Sequence, residues 1–164
     1  MGVIMIEQYI LGILKEYNIN DEEVLANTPK RVDKAFREQW QSLLTPPPKL
    51  AFFECIEGQK VIISDIFFTS TCEHHLMPFF GYCDIELVSS GITLGLSKFN
   101  RLVQYFSAKP TIQEKFTKEL YDFLLEKLKP NYLKITIKAE HTCVKLRGIK
   151  DRCSNTTTIM EYKK

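Results

Sequence analysis

Apolar side chains at Val3, Ile6, Ile10, Ile13 and Leu14 recur at helical spacing, so residues 3–17 are predicted to form a helix with one apolar face. Thr28-Pro29 has the form of an N-cap followed by proline at the first helical position. It predicts a second helix running to about residue 44, with Val32, Phe36 and Leu43 turned inward. Pro46-Pro47-Pro48 cannot continue a helix and marks the boundary between a helical N-terminal arm, 1–48, and a main domain, 49–164.

In the main domain the period changes to two. Residues 60–68 are β-branched and aromatic, and 79–88 alternate Phe79, Cys83, Ile85 and Leu87 with Tyr82, Asp84 and Glu86, which predicts two strands joined through 70–78. Helical spacing returns with Phe99, Leu102, Val103 and Phe106, and again with Ile112, Phe116, Leu120, Leu124 and Leu128; Lys109-Pro110 separates these two helices. Beyond Pro130-Asn131, the residues Leu133, Ile135, Ile137 and Ala139 alternate with Lys134, Thr136, Lys138 and Glu140. A short strand over 156–162 follows. The predicted body is an α+β unit of order β-β-α-α-β-β, an antiparallel sheet with two helices on one face.

A chain of 164 residues, 45% hydrophobic, is long enough to bury a core without disulfides or structural metal, and is not disordered. Lysine and arginine number 22 against 20 acidic residues, a net charge of +2, which argues against a duplex-binding protein unless a local cluster is hidden in the total. No apolar run approaches a membrane span, the first residues lack a signal peptide's basic region and cleavage site, and Ile6 stands where a myristoylation motif needs Ser or Thr. An odd count of five cysteines is poor material for a disulfide framework. Free thiols and a cytoplasmic location are expected, with neither nucleic acid nor membrane as partner.

All three histidines lie within three residues of a cysteine: His74 and His75 follow Cys72, and His141 precedes Cys143. Cys72-x-x-His75 puts a thiolate and an imidazole on one turn, a common zinc chelate, and Cys143 could add a third ligand. Continuing the strand parity from 133–139 turns His141 and Cys143 to the covered face. Buried cysteines can also be plain small hydrophobes, and a fully protein-ligated structural zinc is a further alternative. With three protein ligands, an open position would remain beside His74 and His141, two candidates for general acid and base work. The pattern of the zinc deaminases is absent.

Basic residues gather at two places. Gly95-Leu96-Ser97-Lys98-Phe99-Asn100-Arg101 opens a helix. Ser97 is predicted to cap it, and Lys98, Arg101 and the first-turn amides make either an anion site or an ordinary helix start. Alternation would place Lys145 and Arg147 on the face of the metal ligands, suited to a polyanionic substrate or simply to a solvated strand end. Gln113-Glu114 stands in a first helical turn, where an acid offsets the helix dipole.

Together Cys72-Glu73-His74-His75, the segment 95–101, Gln113-Glu114 and His141-Thr142-Cys143-Val144-Lys145-Leu146-Arg147-Gly148 strongly resemble zinc-dependent GTP cyclohydrolase I, in order over about 28–158; Thr28-Pro29-Lys30-Arg31 is similar to that family's N-terminal helix start. The resemblance implies the tunnelling fold and a homodecamer of two pentamers with active sites shared between subunits. It implies conversion of GTP and water to 7,8-dihydroneopterin triphosphate and formate, the first step of pterin and folate or 7-deazaguanine synthesis. Zn2+ on Cys72, His75 and Cys143 would activate water, and His74 and His141 would move protons. Glu114 and Gln113 would read the guanine edge, and Ser97, Lys98, Arg101, Lys145, Arg147 and Arg31 would hold the triphosphate and ribose. A zinc-containing nucleotide-binding module without turnover is the alternative of a different class. The nitrile reductase branch of the fold would lack the Cys-x-x-His pair. Cys55, Cys83 and Cys153 match no motif, and Cys83 is expected to face the core.

Overall fold

The computed structural model describes residues 5–164 and divides into two compact units, one extending to Trp40 and the other covering Gln41–Lys164. In the first, α1 (Ile6–Glu16) packs against α2 (Glu22–Gln39). Val3 of the predicted first helix lies outside the described residues.

The predicted start of the second helix is corrected. Asp21, not Thr28, is the N-cap: its carboxylate accepts from the Val24 amide at 3.1 Å, and Glu22 and Glu23 offset the positive end of the helix dipole. Pro29 therefore sits inside α2, where its ring removes the backbone bond to Leu25. Such a residue costs about 3 kcal/mol in a helix interior, and here it is the one buried residue of α2. The helix also ends at Gln39, before the predicted 44; a short 3-10 turn, Gln41–Leu43, follows in the second unit.

The second unit is built on β2 (Lys60–Cys72), β3 (Pro78–Val88), β6 (Tyr132–His141) and β7 (Thr156–Lys163), an antiparallel run in the spatial order β2-β3-β6-β7. Alternation sets its two faces. In β3, Phe79, Gly81, Cys83, Ile85 and Leu87 are buried while Phe80 and Tyr82 are exposed, as the period of two requires. The buried face is covered by α3 (Leu96–Ser107), against β2, and by α4 (Gln113–Leu128), against β6 and β7. Phe68, Phe79, Phe99 and Phe116 have no exposed surface, and Phe68 meets Phe79 and Phe116 edge to face. Cys83 faces this core, and burial pushes its thiol pKa up. All five cysteines are free.

Three local features differ from the predicted pattern. Pro110–Thr111 is not a bare break between helices but a short strand, β5, pairing parallel with Thr71 and Cys72, so the sheet is mixed and not wholly antiparallel. Proline is tolerated there because β5 is an edge strand. A second small sheet pairs β1 (Phe52–Glu54) with β4 (Ile92–Leu94), segments too short to show a period. In β2 a bulge between Ile63 and Ile66 holds Asp65 at φ 57°, with its amide donating to Asp84 Oδ1 at 2.8 Å.

Gly81 lies in mid-strand because nothing larger fits: a Cβ there would stand 2.0 Å from the Lys138 carbonyl oxygen and 2.7 Å from Ala139 Cα. Gly81→Ala is expected to lower stability by about 3 kcal/mol or more, since the obstructing atoms are backbone and cannot rotate away. The midpoint of urea unfolding checks this, and an unchanged midpoint would contradict it.

Candidate metal centre and catalytic cleft

Cys72 ends β2, and the chain turns back on itself before β3. The Leu76 amide donates to the Cys72 carbonyl at 2.8 Å, the Cys72 amide donates to the Met77 carbonyl at 2.8 Å, and Leu76 takes the left-handed φ of 53° that closes the loop. The turn is anchored from outside as well. The Glu73 amide donates to the Thr111 carbonyl of β5 at 3.1 Å, and Lys115 of α4 donates to both Glu73 carboxylate oxygens, at 2.8 and 3.1 Å. Cys72 Sγ and His75 Nδ1 are consequently 3.7 Å apart on one side of the loop.

Cys143 arrives differently from the prediction. The strand ends at His141, and Thr142–Lys145 form a single helical turn, α5, so parity does not extend to 143, 145 and 147. Thr142 Oγ1 donates to the Pro78 carbonyl at 2.6 Å, pinning this turn to the start of β3. The half-buried Cys143 reaches the cluster all the same: one ligand atom each from Cys72, His75 and Cys143 lie within 4.8 Å of one another. Around a tetrahedral zinc, with bonds of about 2.3 Å to sulfur and about 2.0 Å to nitrogen, ligand atoms stand about 3.5–3.8 Å apart. Two thiolates and an imidazole are a donor set that zinc favours, and among the described residues no fourth Cys, His, Asp or Glu joins them. The group fits a metal with a coordination position left open. Burial, and next the Cys72 sulfur, push the Cys143 thiol up, and a cation bound there would displace the thiol proton.

The cluster opens into a cleft of about 270 Å3 that His74, Gln113, Glu114 and His141 also line, together with Phe79, Thr111 and Ile112. His74 is exposed and stands 3.9 Å from Glu73. His141 is half-buried, its ring stacked on Phe79 at 4.8 Å and 8°. Burial lowers its pKa, and nearby Glu114 partly opposes that. Glu114 is exposed in the first turn of α4; Gln113 beside it is 1% exposed.

Within the second unit, none of Lys98, Arg101, Lys145 and Arg147 lines this cleft. Ser97 and Lys98 lie in the first turn of α3, whose N-cap is Gly95 without a side-chain cap bond, so the predicted capping by Ser97 is corrected. Arg101, one turn on, lines a separate cavity of about 330 Å3 with Thr45, Pro46 and Tyr105. Lys145 is largely covered, bonded to the Arg152 carbonyl at 2.7 Å and to Glu140 at 3.1 Å. Arg147 is exposed, and its charge is felt at Cys143. Arg31 lies on α2, paired with Glu23 at 2.9 Å. Sequence reasoning missed Phe79, which holds the His141 ring, and the anchors Lys115 and Thr142; a Pro-Phe step after the histidines was the one available signal.

An α+β protein with an open Cys2His metal site beside two further histidines and a carboxylate belongs to the class of metal-dependent enzymes. The comparisons narrow this. Residues 6–163 match the family model described as GTP cyclohydrolase I. Proteins named GTP cyclohydrolase 1 are 41% identical over 141 residues in Streptococcus pyogenes serotype M3 (84% of this chain, 73% of the relative) and 37% identical over 142 in Thermobifida fusca (84% and 69%). Another, from Bacillus pumilus, is 36% identical over 160 (94% and 84%). The chain belongs to the zinc-dependent GTP cyclohydrolase I family.

Purified protein is expected to carry about one zinc per chain, and Cys72→Ser or Cys143→Ser to bring that near zero. Adding zinc to the metal-free protein in weak buffer should acidify it, with less proton release in Cys143→Ser. Metal analysis and a pH electrode measure both.

Proposed function

We propose that the protein converts GTP and water to 7,8-dihydroneopterin triphosphate and formate. The observation that carries this is the meeting, in one cleft, of the Cys72–His75–Cys143 cluster with His74, His141 and Glu114. Bound zinc would supply a Lewis acid that makes water nucleophilic at neutral pH. The chain's own residues do the rest. Glu114 offers two carboxylate oxygens to the ring N–H and the 2-amino group of guanine, which adenine cannot match. His141, held flat against Phe79, takes and returns protons as the imidazole ring of guanine opens and formate leaves, and the exposed His74 serves the later ribose rearrangement. The family resemblance also implies Gln113 at the guanine edge, a role that its buried and fully bonded amide does not support.

Ser97, Lys98, Arg101, Lys145, Arg147 and Arg31 bind the triphosphate and ribose in this reading. The separation of Arg101 from the cleft within the second unit supports a site completed by neighbouring subunits, in a homodecamer of tunnelling-fold protomers. In this reading residues 49–164, within the second compact unit, make the catalytic domain, and the residues before 49 form an arm. No helix among the described residues is long and apolar enough to cross a membrane; we place the protein in the cytoplasm, with GTP and further copies of itself as partners.

Incubation with GTP should release formate and, once the dihydropterin product is oxidised with added iodine, a fluorescent pterin in equal amounts. Saturable GTP binding without formate would overturn the enzyme reading in favour of a nucleotide-binding module. His141→Ala is expected to keep zinc and fold while losing about 10²–10⁴-fold in kcat. Glu114→Gln should weaken GTP binding and narrow the preference for GTP over ATP; an unaltered preference would remove its role.

A further inference from the structure

Gln113 does not behave as a ligand-facing side chain. It is 1% exposed, and its amide nitrogen faces the Ile137 carbonyl at 2.9 Å, the Thr156 carbonyl at 3.1 Å and Thr158 Oγ1 at 3.1 Å. Its oxygen stands 2.8 Å from His141 Nε2. Two of the groups around the nitrogen are backbone carbonyls, which can only accept, so the NH2 end of the amide must face them. The third is set by a closed circuit of hydroxyls. Thr117 Oγ1 donates to the Gln113 backbone carbonyl at 2.7 Å, which leaves its oxygen to accept from Thr158 Oγ1 at 2.6 Å. The Thr158 oxygen then accepts from the Gln113 amide. A flipped amide would set oxygen against two carbonyl oxygens in a buried place, where an unmet polar atom is most costly.

With the amide orientation forced, Oε1 can only accept, and the group facing it must be a donor. We propose that Gln113 is a positioning residue, whose buried amide holds His141 in the tautomer that carries its proton on Nε2 and its lone pair on Nδ1. Phe79 fixes the plane of the ring and Gln113 its rotation. Three elements share in this: Gln113 opens α4, Ile137 belongs to β6, and Thr156 and Thr158 to β7. The amide has three acceptors for two hydrogens and none to spare for a purine, so the guanine edge falls to the exposed Glu114 alone. The consequence for turnover rests on the cyclohydrolase reading, because His141 must present one defined nitrogen to the opening ring.

The test uses zinc-loaded protein. With ring-15N histidine incorporated at its three histidines, and His141 assigned by its absence from His141→Ala, the spectrum at about pH 8 should show His141 protonated on Nε2. The opposite tautomer, or a mixture, overturns the proposal, whatever the activity and whether or not the variants fold. Gln113→Met should keep zinc, lower kcat by about 10–100-fold and leave KM for GTP within about threefold. A raised KM at unchanged kcat would make Gln113 a guanine contact and overturn the proposal, as would unchanged kinetics. Unmodified protein that releases no formate would fail the cyclohydrolase reading instead, and the tautomer would still decide this one.

Discussion

The register of β2, β3 and β6 is the constraint on which the metal centre depends. Thr71 pairs with Pro78 across the first ladder, and Phe79 with His141 across the second. These pairings bring the loop after β2 and the turn after β6 to the same end of the sheet. Side chains alternate between faces with a period of two, so a slip of one residue would send Cys72 and His141 to the face that carries Phe80 and Tyr82. Such a slip would also expose Ile85, Leu87, Ile135 and Ile137, each without exposed surface in the folded chain. Burying one such side chain contributes about 1.5–3 kcal/mol, so the core holds the register and the register holds the site.

The centre joins groups of unequal mobility. Cys72 is buried in the sheet, while His75 lies on an exposed loop fastened by the Glu73–Lys115 pair and the Glu73–Thr111 backbone bond. Cys143 rides on a helical turn attached through Thr142 to Pro78. Each ligand thus has an anchor in a different element. This is the support from surrounding hydrogen bonds that a metal site requires for defined ligand geometry. His141 is held separately, between Phe79 and Gln113, so proton transfer and metal binding rest on different contacts.

Much of this was legible in the residue pattern. The core strands and α3 and α4 follow from periods of two and of 3.6, because their apolar residues pack on one face; Cys72, His75 and Cys143 stood out because so few soft ligands occur in so small a chain. The misreadings have local causes. Thr28-Pro29 has every feature of a helix start, but Asp21 with Glu22 and Glu23 supplies an earlier one, and a helix once begun can tolerate a proline whose ring is buried. Ser97 is a residue type that caps, yet Gly95 takes the capping position, with its amide donating to the Ala51 carbonyl at 3.4 Å. Strand parity failed after His141 because the Thr142 hydroxyl bonds to Pro78 and begins a helical turn, a contact between residues far apart in sequence.

From the sequence alone came the kinds of group present and the periodicity that decides which faces are apolar. Those are local properties, set by side-chain chemistry and by the geometry of one strand or helix at a time. The tertiary structure alone decided that β5 joins the sheet in parallel, that Cys143 reaches the metal site from a helical turn, and that Gln113 is walled in by β6 and β7 with its oxygen on His141. The physical reason is the same in each case. A hydrogen bond between distant segments carries no trace in local composition, because its partners are mostly backbone carbonyls that every residue possesses.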